Sequence, residues 1–196
     1  MRENHNTSLR TMIFRLFRRD PRARTIAALY GAIVAQARRP VFYLALGVPD
    51  TVEGRFEMVA LHLALLCRRL GRDGAAGQSL SQGVFDMFCR DMDDHLREMG
   101  VSDLRVPKTM RKLGEAFYGR LDAYDRALAQ EDDEALAAAL ARNALDGASA
   151  AAPRLAAYVR EATRRLDAAS LAQLHDGQVS FPDPDPVGVA VQEAQA

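Results

Sequence analysis

The sequence predicts an all-α fold, a single globular multi-helix domain with two contrasting ends. Apolar residues recur at spacings of three and four along most of the chain, which is typical of amphipathic helices. We find no strand-like alternation, no Asn-Gly hairpin and no internal repeat. Composition then divides the chain into a basic amphipathic N-terminal segment (1–21), an all-helical domain (22–175) and an acidic, Pro-rich, disordered C-terminal tail (176–196).

The first half of the domain is predicted to form two helices and a helical turn. Thr25–Arg38 carries apolar residues at helical spacing and ends before Pro40. A short turn over 40–46 follows. Asp50 and Glu53 resemble a capping box that opens a helix over Thr51–Leu70. Because this helix is apolar on nearly all sides, we expect it at the centre of the fold.

The second half of the domain is predicted to begin with a flexible linker. Gly71–Gln78 contains three glycines, and Ser79 with Gln82 resembles a second capping box. Four further helices are then expected, with Pro153 in the first turn of the last. Their predicted bounds are 79–99, 108–130, 131–143 and 153–174.

Charge and cysteine content exclude several classes of protein. Basic and acidic residues both number 26, so a general nucleic-acid surface and a specific nucleic-acid partner are not expected. Cys67 and Cys89 lie in helical patterns without a CxxC motif, which argues against a structural zinc site or a disulfide scaffold. We predict that both are small buried residues in a reducing compartment.

The search for a reaction centre yields weak candidates. Asp91 and His95 have the i,i+4 spacing of metal ligands on one helix, but a solvated charged face is the favoured interpretation. His62 is predicted to be a core histidine with one hydrogen bond. With no P-loop and no nucleophile elbow, the sequence predicts no catalytic residue, no metal and no cofactor.

The N-terminal segment is predicted to contact a membrane surface. Apolar residues fall on one face of a short helix, with arginines off that face, a pattern typical of interfacial helices. An ordinary docking helix on the core, or a frayed start, is the alternative. Met12 is also an alternative start of the chain. The predicted membrane-contact residues are Ile13, Leu16, Phe17, Arg18 and Arg19.

Several stretches of the sequence form an ordered set of motifs, in this order along the chain: Tyr30–Tyr43, Gly47–Met58, Asp91–Val101 and Ala116–Tyr124. No single stretch is specific, but their sequential order is. Together they resemble the ubiquinol–cytochrome c chaperone family over roughly residues 25–145. The short stretch Gly177–Pro182 also resembles the end of bacterial members.

This resemblance implies an all-helical, non-enzymatic assembly chaperone of the ubiquinol–cytochrome c reductase. The implied partner is apocytochrome b or a cytochrome b assembly intermediate, with a small co-chaperone or the ribosome as further partners. We expect a cytoplasmic protein that its N-terminal segment brings to the cytoplasmic face of the inner membrane. A helical adaptor of another pathway and a small metal-dependent enzyme are the alternatives.

The matched stretches also supply a predicted partner-binding surface. Arg120 is expected to lie on the surface beside Gly119, so that its loss costs under about 0.5 kcal/mol of stability. Tyrosines suit such a surface because they combine an apolar ring with a polar end. Methionines in the same stretches are predicted mainly to fill the core. The predicted partner-binding residues are Asp91, Asp93, Arg97, Phe117, Tyr118, Arg120 and Tyr124.

Overall fold

The computed structural model describes residues 20–147 and 150–184, and these residues confirm the all-α prediction. They form eight helices around one hydrophobic core and contain no strand. The long helices α3, α4 and α5 pack on one another, while α1 and α7 cover two further sides. In chain order the helices are α1 (Pro21–Ala37), α2 (Val41–Leu44), α3 (Val52–Gly71), α4 (Gly74–Glu98), α5 (Val106–Leu128), α6 (Glu134–Asn143), α7 (Ala152–Ala168) and α8 (Leu171–His175).

Helix α1 begins four residues before the predicted start. The Asp20 side chain accepts a hydrogen bond from the backbone N–H of Arg22 at 3.0 Å, and Pro21 occupies the first helical position. An acidic cap followed by proline satisfies the free N–H groups of a helix start. The predicted domain boundary at residue 22 therefore falls inside α1. Residues 1–19, which carry the predicted membrane-contact residues, lie outside the described part of the chain.

Helix α3 is the central helix, as predicted. Its residues from Met58 to Cys67 are all buried. The predicted cap was wrong by one residue, because Thr51 rather than Asp50 accepts the N–H of Gly54, at 3.0 Å. Asp50 instead pairs with Arg55, 2.7 Å away.

The predicted linker and second capping box are wrong. The chain turns over only Arg72 and Asp73 before α4 begins at Gly74, so Ser79 and Gln82 lie within the helix. A Cβ atom at Gly77 would lie 2.1 Å from the carbonyl oxygen of Leu70. Gly77 thus allows α4 to pass close to the end of α3, and the stretch does not form a flexible linker.

The predicted last helix is two helices. Backbone at Ala169 is extended, and Ser170 then caps α8 in a reciprocal capping box with Gln173. The chain leaves α8 through Gly177, whose φ of +76° is in the left-handed region.

The described part of the predicted tail packs against the domain instead of leaving it. We call residues Gly177–Pro184 the C-terminal strap. Its Pro182 carbonyl accepts a hydrogen bond from Gln36 at 2.8 Å, and Asp183 pairs with Arg39 at 2.9 Å. The Phe181 ring stands edge-on to His62, with centroids 5.0 Å apart. The domain therefore extends to at least Pro184; residues 185–196 lie outside the described ranges.

Among the residues that the structure describes, no helix combines the length and the apolar content that a membrane crossing requires.

Candidate partner-binding site

Helices α4 and α5 form an antiparallel hairpin that holds a cluster of aromatic side chains. Phe85 lies at the centre, with its ring centroid 5.0 Å from that of Phe117 and 5.5 Å from that of Tyr118. Phe88 and Phe56 continue the cluster toward α3, with centroids 5.8 Å apart. Aromatic rings at these separations and tilts stabilise one another beyond their buried area.

A groove opens on the outside of this cluster, between the end of α3, the first half of α4 and the middle of α5. One lobe encloses about 210 Å³ and the other, which continues along α3 and α5, about 420 Å³. We call it the α3–α5 groove. Its apolar lining comes from Cys67, Phe85, Phe117, Tyr118 and Leu121.

Charged residues at one end of the α3–α5 groove are paired with one another. Arg68 lies 2.7 Å from Asp125, and Arg72 lies 2.9 Å from Asp167. Uncharged polar side chains line the other end, from Gln78 to Gln82. The groove thus offers an apolar floor between polar edges, with little net charge, which suits an apolar segment of a partner.

Tyr118 is the predicted aromatic residue that the structure leaves accessible. Its side chain is 56% exposed, whereas Phe117 and Tyr124 are each 1% exposed. These two rings therefore support the surface from beneath and do not present themselves to a partner. An added Cβ at Gly119 would meet nothing within 4 Å, so the surface next to Tyr118 is open.

Arg120 is not the surface residue that the sequence suggested, and this correction has a clear cause. Its guanidinium forms a two-pronged ion pair with Glu57 of α3, with Nε 2.6 Å from one carboxylate oxygen. The side chains of Arg120 and Glu57 are 20% and 13% exposed. Burial raises the pKa of Glu57, and the Arg120 guanidinium opposes that shift. Arg120 is therefore a structural partner of α3.

The acidic residues predicted on α4 divide into two roles. Asp91 accepts a 2.6 Å hydrogen bond from the Tyr30 hydroxyl, joining α4 to α1. Burial and this bond raise the pKa of Tyr30. Asp93 and Arg97 form the predicted i,i+4 pair, 2.6 Å apart, and Arg97 also reaches Asp103. This pair lies at the surface near the end of α4.

The candidate metal and cysteine chemistry has little structural support. His95 Nδ1 lies 2.7 Å from the backbone oxygen of Asp91 and 3.6 Å from its carboxylate. Within the described ranges, no three His, Cys, Asp or Glu side chains are grouped to hold a metal. Burial raises the pKa of the Cys67 thiol to about 11, which suppresses its thiolate. Cys89 is only half-buried, in contrast to its predicted burial.

Sequence reasoning missed part of the groove lining, the ion-pair partner of Arg120 and the hydrogen-bond partner of Asp91. Leu121 follows Tyr118 by three residues, and this spacing signals a shared helix face. Glu57 and Tyr30 carry no such signal, because their partners lie 63 and 61 residues away. Met58 is fully buried as core filler, whereas Met99 is 57% exposed.

An all-helical domain with an apolar groove between internally paired charges is typical of a module that binds another protein. The chain belongs to the Ubiquinol-cytochrome C chaperone family, whose sequence model matches residues 44–181. This match confirms the resemblance seen in the sequence. It ends at Phe181, within the C-terminal strap.

Relatives and a solved structure agree with this assignment. The chain is 30% identical over 148 residues to ubiquinol-cytochrome-c reductase complex assembly factor 1 of Xenopus laevis, covering 72% of this chain and 73% of the relative. The human protein of that name is also 30% identical, and the match spans 49% of its length. A crystal structure of the Cbp3 homolog from Brucella abortus is 41% identical with a TM-score of 0.78, covering 88% of this chain and 98% of that one.

Proposed function

We propose that this protein is an assembly factor for the ubiquinol–cytochrome c reductase and acts by binding, without catalysis. Its membership of the chaperone family is the observation that carries the proposal. The names of its relatives, which are assembly factors of that complex, support it. So does the extent of the match, which includes all three helices of the α3–α5 groove.

We further propose that the client is newly made cytochrome b or an assembly intermediate that contains it, bound in the α3–α5 groove. A subunit that spans the membrane exposes apolar segments before it is assembled. The groove has an aromatic and aliphatic floor, with Tyr118 and Leu121 at its surface. The rim charges are already paired, so an apolar segment can enter without leaving a single unpaired charge buried.

Asp93 and Arg97 lie away from this floor and are proposed as a polar contact for a second partner, such as a small co-chaperone or the ribosome. Their mutual ion pair fixes both side chains on one exposed turn of α4. In the cell, the proposed location is the cytoplasm and the cytoplasmic face of the inner membrane, where a membrane-spanning client is inserted.

A deletion strain tests the assembly function. We expect loss of cytochrome b haem absorbance and of quinol-dependent cytochrome c reduction, both restored by the wild-type gene. Normal haem absorbance and normal activity in the deletion strain would contradict the proposed function.

Complementation with a groove variant tests the binding site separately. Tyr118→Glu places a charge on the groove surface, where the exposed side chain tolerates it without unfolding, and should fail to restore the complex. Ala172→Glu is the matched control, because residue 172 is exposed in the first turn of α8, where an acidic side chain is favourable. Full complementation by Tyr118→Glu at a normal protein level would exclude the groove as the client site.

A further inference from the structure

We propose that the tip of the α4–α5 hairpin binds the surface of an anionic lipid bilayer. The hairpin tip comprises residues 99–112, the turn between the two helices and the first turns of α5. It exposes Leu104 to 94% and Met99 to 57%, two of the large apolar side chains most open to solvent in the described chain. This surface is separate from the α3–α5 groove and extends the proposed membrane location to a second part of the molecule.

The backbone of the hairpin tip is held by its own hydrogen bonds, so Leu104 is presented by a defined turn. Gly100 adopts a φ of +80° and ends α4, and the N–H of Arg105 donates to the carbonyl of Ser102 at 2.8 Å. Arg97 pairs with Asp93 and Asp103, which ties the turn to α4. Val106, only 1% exposed, anchors the far side of the turn.

Three exposed basic residues follow this leucine at the start of α5. Arg105, Lys108 and Lys112 fall within about 60° of one another around the helix axis at 3.6 residues per turn, and all three are exposed. Lys108 and Lys112 are the only two lysines in the sequence. Three nearby carboxylates have basic partners, since Asp93 and Asp103 pair with Arg97, and Glu115 lies 3.6 Å from Arg111. Asp94 and Glu98 are also exposed, on the last turns of α4.

This combination is complementary to an anionic bilayer. An apolar side chain on a protruding turn enters the interfacial region by about 5–10 Å, and lysines and arginines beside it meet the lipid headgroups. Their flexible apolar stems follow the leucine while the charged ends stay in water. Leu104 is therefore suited to the apolar part of the interface, and its basic neighbours are suited to the anionic headgroups.

The proposed membrane contact leaves the α3–α5 groove free. Tyr118 lies 12 residues after Val106, the first residue of α5, and at 1.5 Å per helical residue this is about 18 Å along the helix. With α5 directed away from the bilayer, a tip seated in the interface holds the groove beyond the depth that Leu104 reaches. The inference does not depend on the identity of the client, because vesicle binding is measured without one.

A single-tryptophan variant of the full-length protein tests the contact directly. The chain contains no tryptophan, so Leu104→Trp introduces one fluorophore at the hairpin tip. With phosphatidylglycerol-rich vesicles we expect a blue shift of its emission and quenching by brominated lipid. Phosphatidylcholine vesicles should give neither. Tyr118→Trp is the matched control on the same helix, and its emission should not change.

Charge reversal tests the role of the lysines. In the Leu104→Trp background, Lys108→Glu with Lys112→Glu should weaken the tryptophan-reported vesicle affinity at least about tenfold. An unchanged affinity would overturn the proposal, as would an equal blue shift with phosphatidylcholine. Vesicle binding without a shift at residue 104 would assign attachment to another part of the chain and also overturn it. The deletion-strain phenotype is independent of each of these outcomes.

Discussion

His62 shows how one buried polar residue is accommodated in the core. Its ring is fully buried, with Nδ1 2.7 Å from the Met58 carbonyl oxygen and Nε2 2.7 Å from the Tyr158 hydroxyl. Since a carbonyl only accepts, Nδ1–H donates to Met58 and Nε2 accepts from Tyr158. The Tyr158 oxygen in turn accepts from Gln36 at 2.9 Å. The predicted core histidine is confirmed, with two hydrogen bonds where one was expected.

The burial of His62 predicts loss of stability in mild acid. Burial lowers its pKa from 6.5 to about 4, so between these values the unfolded chain holds more protons than the folded one. Stability should therefore fall as pH decreases from 6.5 toward 4, by up to about 3 kcal/mol from this residue. Urea unfolding of the wild type and His62→Gln across this range measures the effect. An equal pH dependence in both proteins would contradict it.

The Glu57–Arg120 ion pair predicts that Arg120→Ala lowers the free energy of unfolding by about 2 kcal/mol. The change leaves the largely buried carboxylate of Glu57 without its partner. Urea unfolding measures this loss. Glu57→Ala combined with Arg120→Ala should cost less than the sum of the single changes. A loss below about 0.5 kcal/mol for Arg120→Ala would restore the original view of a surface residue.

At the residue scale, the sequence predicted the exposure and local pairing of side chains better than their long-range contacts. Tyr118 and the Asp93–Arg97 pair could be placed because helical spacing sets exposure and local pairing. The contacts of Arg120 and Asp91 were missed because their partners, Glu57 and Tyr30, come from helices distant in the sequence. Local periodicity contains no information about such pairings.

At the scale of elements, the start of α4 shows that a glycine-rich stretch can mark a close contact between helices instead of a flexible linker. Gly77→Ala should destabilise the protein by about 1–3 kcal/mol, because its Cβ would collide with backbone at Leu70. Gly114→Ala is the control inside α5, where an added Cβ meets nothing within 4 Å, and it should stabilise by about 0.5–1 kcal/mol. Thermal unfolding compares the two. An unchanged melting temperature for Gly77→Ala would contradict the close contact and support the predicted flexible linker.

The elements themselves were predictable where helical periodicity is strong. The helical periodicity of α3 and α5 stands out in the sequence, and their observed ends lie within two residues of the predicted ones. The start of α4 and the strap were missed for one shared reason. Glycine and proline signal turns when the chain is considered locally, but here Gly77 and Pro182 occupy close tertiary contacts.

At the scale of the whole molecule, the N-terminal segment remains a predicted membrane contact. Co-sedimentation with anionic liposomes should decrease in the full-length variant Leu16→Glu with Phe17→Glu, which removes the apolar face. His5→Glu with Asn6→Glu, in the same segment, is the control. The electrostatic part should weaken with salt, because the Debye length falls from about 10 Å at 0.1 M to about 3 Å at 1 M. Unchanged sedimentation in the apolar variant would remove this segment from membrane binding.

The C-terminal strap sets an order of events during synthesis of the protein. Thr25 in α1 donates a hydrogen bond to the carbonyl of His175, 150 residues later. Gln36, also in α1, donates one to the carbonyl of Pro182. One face of the first helix therefore stays uncovered until residues 175–182 have left the ribosome. Closing so long a loop comes late in folding, since its entropy cost precedes the contacts that compensate it. The chaperone completes this side of its core only after the strap has been synthesised.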